Sequence, residues 1–73
     1  MQRYTDLSGH SGVAEFALRP DAVQVRFHDN PRVYTYSVAS AGAAHVTELK
    51  RRAKAGRGLA TYISQHVRDD YER

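Results

Sequence analysis

The sequence predicts an α+β domain: a three-stranded antiparallel meander followed by two helices packed on one face of it. Three observations carry that expectation. Apolar and polar residues alternate in three short runs between residues 13 and 38, the period of half-buried strands. From residue 40 onward the apolar spacing lengthens to that of helices. The links between the runs are too short for a crossover, so neighbouring strands must run antiparallel.

The first strand is expected over Val13 to Leu18, with Ala14, Phe16 and Leu18 on one face and Val13 and Ala17 on the other. Arg19-Pro20-Asp21 is a turn, because proline pre-sets φ and aspartate bonds its own backbone. Ala22 to His28 alternates most regularly, Val23, Val25 and Phe27 against Gln24, Arg26 and His28. His28-Asp29-Asn30-Pro31 forms the second turn. Arg32 to Val38 is the third strand, with Tyr34, Tyr36 and Val38 on the core face and Val33 on the outer one.

Ser40 is the expected N-cap of the first helix. Ala43, Val46, Leu49 and Ala53 form its apolar stripe, and Glu48 and Arg52 are an i,i+4 pair in the favourable order. Gly56 is placed to end it with positive φ, and Gly58 or its neighbour opens the second helix. There Leu59, Tyr62, Ile63, His66, Val67 and Tyr71 share a stripe. No formal charge falls between Gly58 and Val67, so this helix is expected to be the more buried. The expected core is Phe16, Leu18, Val23, Val25, Phe27, Tyr34, Tyr36, Val46, Leu49, Leu59, Tyr62, Ile63 and Val67. Residues 1–11 are expected as a flexible leader, 12–71 as the single domain and 72–73 as a frayed end.

Composition narrows the function classes. The chain has 73 residues and no cysteine, which excludes a disulfide framework or a thiolate metal site. A domain of this size has little room for a ligand cleft beside its core. The N-terminus has no apolar h-region, and no apolar run is long enough to span a bilayer. These features suit a cytoplasmic protein without membrane contact. The net charge is +3, but Lys50, Arg51, Arg52, Lys54 and Arg57 place five cations and no anion in residues 50 to 57. The rest of the chain is net negative. A local patch of this kind attracts polyanions.

The order of features resembles the KTSC family, small bacterial and phage proteins that share a domain with the C-terminus of some lysyl-tRNA synthetases. The residues that carry the resemblance are Val23, Val25, Phe27, Tyr34, Tyr36, Val38, Gly56, Gly58, Leu59, Tyr62, Ile63, Val67, Arg68 and Tyr71. Ala39 stands where members often have proline, and Ala60 where many have asparagine. The resemblance implies the β-β-β-α-α order. Its place on a tRNA-handling enzyme points toward RNA.

Candidate binding residues follow from the charge. Lys50, Arg51 and Lys54 are expected on one helix face, Arg57 in the Gly56–Gly58 joint and Arg68 on the second helix. The free N–H groups at the start of that helix would add to anion affinity. Tyr34 and Tyr36 would offer a stacking surface for unpaired bases if exposed, and core packing if buried. The histidines, His10, His28, His45 and His66, have no i,i+4 pair, although His45 and His66 would meet if the helices pack together. No metal site, cofactor or catalytic residue is expected. The function expected is a non-catalytic RNA-backbone binder. The alternative is a protein-interaction or homodimerisation module that uses a sheet edge.

Overall fold

The computed structural model describes residues 1–72. It is an α+β domain with four strands, in the order β1 (Gln2–Arg3), β2 (Val13–Arg19), β3 (Ala22–Phe27) and β4 (Val33–Ser37). Every neighbouring pair is antiparallel. The helices are α1 (Val38–Ala41), α2 (Ala43–Ala55) and α3 (Leu59–Tyr62), and α3 continues into a π-helical segment, Ile63–Val67.

The fourth strand corrects the expectation of three, and it comes from the segment expected as a leader. Gln2 pairs with Phe16 and Arg3 with Glu15. Tyr4 follows with its N–H on the Ala14 carbonyl at 3.0 Å. Its ring is buried and meets Phe16 edge-on at 6.4 Å. The phenol hydroxyl accepts the Leu59 N–H at 3.4 Å, so the first strand reaches the start of α3. The Leu7 N–H then donates to the Gly56 carbonyl at 2.7 Å.

The β2–β3 hairpin turns through Pro20 and Asp21, with Arg19 opposite Ala22. A bulge lies at its open end: Val13 pairs with Phe27 and Glu15 with Arg26, so Ala14 is the extra residue. An inserted residue reverses the in–out alternation beyond it. Val13, expected on the outer face, is therefore buried in the core with Val23 and Val25.

Between β4 and the helices the sequence reading misplaced the cap. Ser37, not Ser40, is the N-cap of α1. The Ser37 hydroxyl accepts the Ser40 N–H at 3.1 Å, and the Ser40 hydroxyl accepts the Ser37 N–H at 3.0 Å. This reciprocal box ends β4 one residue early, so Val38 is exposed in α1 instead of joining the strand's core face. Gly42, at φ 95°, breaks α1 from α2.

Both long helical stretches bury three side chains: Val46, Leu49 and Ala53 from α2, and Leu59, Ile63 and Val67 from α3 and its continuation. The second is not the more buried of the two, because Tyr62 is half-buried and His66 exposed. Helical structure stops at Val67, short of the expected Tyr71. The tail returns to the sheet, where the Glu72 N–H donates to the Thr35 carbonyl at 2.7 Å. The expected fraying at Arg73 lies outside the described residues. Of the expected core, Leu18, Phe27, Tyr34 and Tyr62 pack against the centre half-buried, and the others are buried. Tyr4, Val13 and Ala53 complete it.

Two outcomes test this packing. Gly56 sits at φ 77°, and an added Cβ would lie 2.9 Å from Thr5 Cβ. Gly56→Ala is therefore expected to lower the unfolding free energy by more than the ~1–2 kcal/mol of left-handed strain, read from urea unfolding. Burial raises the Tyr36 phenol to about 12, with the nearby Tyr34 and Tyr71 phenols and the Asp69 and Asp70 carboxylates adding to the rise. An unfolded tyrosine ionises near ~10, so the native state retains its proton longer and stability falls as pH rises from ~10 to ~12. The expected loss is ~2 kcal/mol, and Tyr36→Phe should abolish that part of the alkaline decline.

Candidate functional site

The basic segment lies where α2 ends and α3 begins. The chain can turn there because Gly56 and Gly58 both adopt left-handed backbone, at φ 77° and 74°. The Gly56 N–H closes α2 on the Arg52 carbonyl at 3.0 Å.

The five cations expected to act together divide into three groups. Arg51, Lys54 and Arg57 are exposed around the joint. Lys50 is drawn the other way: its Nζ donates to the Pro20 carbonyl at 2.9 Å and so ties α2 to the β2–β3 turn. Arg68 does not reach the joint hollow. It lines a second hollow with Tyr34, Tyr36 and Tyr71.

Arg52, counted in the basic run and in the pair with Glu48 but not among the candidate binding residues, is central to the site. Its Nε donates to Glu48 at 2.6 Å and its Nη1 to the Gly58 carbonyl at 3.1 Å. Its guanidinium lies 4.8 Å from the Tyr62 ring centroid. Glu48 accepts from Arg51 as well, through both carboxylate oxygens. These two guanidinium groups hold the Glu48 carboxyl down at about 2, Arg51 having the larger effect. The same carboxylate raises Arg51 further. Arg51, Arg52 and Arg57 line one concavity of about 320 Å³ with Ala55 and Gly58.

At the start of α3 the first of the N–H groups expected to face an anion, that of Leu59, donates to the Tyr4 hydroxyl. The tyrosines of β4 form no exposed stacking surface, since Tyr36 is only 2% exposed. Tyr34 is half-buried, and its hydroxyl accepts from Asn30 Nδ2 at 3.1 Å.

The helices do bring His45 and His66 together, with ring centroids 5.9 Å apart. His45 Nδ1 lies 2.7 Å from the Tyr62 hydroxyl. Tyr62 lies against His66 at 4.4 Å. Among the described residues no group of three or more His, Asp or Glu side chains is placed to hold a metal ion. Among them, too, no helix is long and apolar enough to cross a membrane.

The sheet edges bear on the alternative expectation. β1 is two residues long, and the Thr35 carbonyl of β4 is already engaged by Glu72. Short or covered edges are how sheets avoid pairing with other chains.

No family model, curated protein or solved structure matches the chain.

Glu48 thus neutralises part of the basic hollow while fixing Arg52 in place. Glu48→Gln is expected to raise the affinity for polyanions severalfold, measured by fluorescence anisotropy at low salt. In the unmodified protein, its carboxyl resonance should titrate near 2 rather than in the ordinary carboxylate range.

Proposed function

We propose that the protein is a non-catalytic module that holds the phosphate backbone of a nucleic acid at the α2–α3 joint. The observation that carries this reading is the convergence of Arg51, Arg52 and Arg57 on one concavity. Arginine presents a planar fork of donors that matches phosphate oxygens in pairs, and it keeps its charge at every physiological pH. Arg52 is held by Glu48, Gly58 and Tyr62, so less side-chain freedom is lost when a phosphate arrives. Arg51 and Arg57 stand exposed on either side, and Lys54 adds charge from the same helix end. Lys50 and Arg68 belong to other parts of the molecule and leave this contact set.

RNA is proposed over duplex DNA on the strength of the KTSC resemblance. The site is small, which suits a short stretch of backbone better than an extended duplex face.

The test is anisotropy binding of the full chain to unstructured RNA over a salt series. Three phosphate contacts predict a log–log slope of about −2 for a single strand. Reversing both Arg51 and Arg57 to glutamate is expected to reduce affinity by more than tenfold and flatten the slope. Circular dichroism checks that the variant stays folded. Unchanged affinity in a folded Arg51→Glu/Arg57→Glu protein would overturn the reading.

A further inference from the structure

The second hollow lies between the β3–β4 end of the sheet and the π-helical segment. Its volume is about 310 Å³, at the small end of the ~300–1,000 Å³ range of ligand sites. Four of its walls are aromatic: Phe27, Tyr34, Tyr36 and Tyr71. Arg68 and Asp69 stand beside them.

The rings are arranged as a box. Tyr34 meets Tyr71 at 81°, Tyr36 meets Tyr71 at 82° and Phe27 meets Tyr34 at 71°. A flat base needs a parallel face, and none of these contacts provides a parallel pair. Walls at right angles suit a rounded group that touches several ring faces at once. Aromatic faces are electron-rich and attract cations.

Two further observations give the sign of the ligand. The Arg32 guanidinium already lies over these rings, 5.0 Å from the Tyr34 centroid and 5.1 Å from that of Tyr71. The same two tyrosines therefore already hold a cation within the fold. Asp69 lines the hollow itself, and the Asp69 and Asp70 carboxylates add to a rise in the Tyr36 phenol that burial causes first and the Tyr34 and Tyr71 phenols second. Arg68 is the one cation among the described lining residues, and Asp69 offsets it.

We propose that this hollow binds a methylated ammonium group, quaternary or trimethylated, with its methyl shell against the half-buried rings of Phe27, Tyr34 and Tyr71. Such a cation carries its charge inside an apolar surface, so it enters an aromatic box with little desolvation penalty. A bare ammonium or guanidinium, more strongly hydrated, loses more solvation on entering such a box. The shared chemistry has two sources, a small choline-like molecule or a methylated lysine side chain.

The proposal is independent of the basic joint, because none of the joint's cations lines this hollow. The test is a two-dimensional NMR titration of the full chain with choline and with its uncharged isostere 3,3-dimethylbutan-1-ol. Sodium chloride balances the ionic strength. Choline is expected to give saturable shifts at Tyr34, Tyr36 and Tyr71, with affinity about tenfold above that of the neutral isostere. A parallel titration with a trimethyllysine peptide separates the sources: the tighter of the two ligands names the source. Asp69→Asn/Asp70→Asn changes exposed residues and is expected to weaken choline severalfold in a folded protein. Equal binding of the neutral isostere, unchanged affinity in the double variant, or no saturable shift with either ammonium ligand would overturn the proposal.

Discussion

The structure turns on the left-handed joint between α2 and α3. Three parts of the chain converge on it: the end of α2, the N-terminal segment and the start of α3. α2 closes there through the Gly56 N–H. The N-terminal segment bonds the Gly56 carbonyl from Leu7 and receives the Leu59 N–H on Tyr4. Arg52 reaches forward to the Gly58 carbonyl. The geometry demands glycine at Gly56 twice over, since its backbone is left-handed and Thr5 occupies the space a Cβ would take. At Gly58, also left-handed, an added Cβ would meet the held guanidinium of Arg52 at 2.9 Å.

That convergence explains why the site is both basic and ordered. A run of cations at a helix end is ordinarily solvated and mobile, and it gains only the modest attraction of the helix dipole. Here Glu48 sits about two turns before the end and binds two of the arginines, and the joint's own carbonyl takes a third contact. The cations are thereby sorted. Arg52 becomes part of the frame, Arg51 is half-neutralised, and Lys54 and Arg57 remain toward solvent. Lys50 serves the frame at its other side by bonding Pro20.

What was legible in the sequence follows the range of the forces involved. The β2–β3 hairpin and the α2 stripe are set by local alternation and spacing, and both were readable from Val23, Val25, Val46 and Leu49. The Gly56 cap was readable because only one residue type takes that backbone easily. β1 was not, because two residues show no period and Tyr4 is held by tertiary contacts. Val13 was misplaced because a bulge leaves no local mark in V-A-E-F. Ser37 was passed over in favour of Ser40, although S-x-x-S reads equally as a box with Ser40 inside the helix. In the site, Arg51, Lys54 and Arg57 were visible as charge. Arg52's role was not, since Gly58 and Tyr62 approach it only after the joint has turned. Arg68 was grouped with them by charge alone, and the fold takes it to a different hollow.

The distance between the two hollows gives this charge pattern a consequence. Arg57 and Arg68 bracket α3 and its π-helical continuation, a stretch from Leu59 to Val67 that spans roughly 12–14 Å at helical rise. The molecule itself extends 30 × 23 × 22 Å. The screening length at physiological salt is only ~8 Å, so the cations at the joint and the carboxylates near Tyr36 act as local fields rather than as one net charge. A polyanion approaching the joint meets Lys54 and Arg57 without strong repulsion from Asp69 and Asp70. A cation approaching the aromatic box meets Asp69 beside Arg68 and Arg32, and little of the joint's field. The small net charge of +3 is therefore unevenly placed, with exposed cations at the joint and the Asp69 and Asp70 carboxylates toward the second hollow. α3 with its continuation separates them, and its buried face, Leu59, Ile63 and Val67, anchors it against the rest of the core.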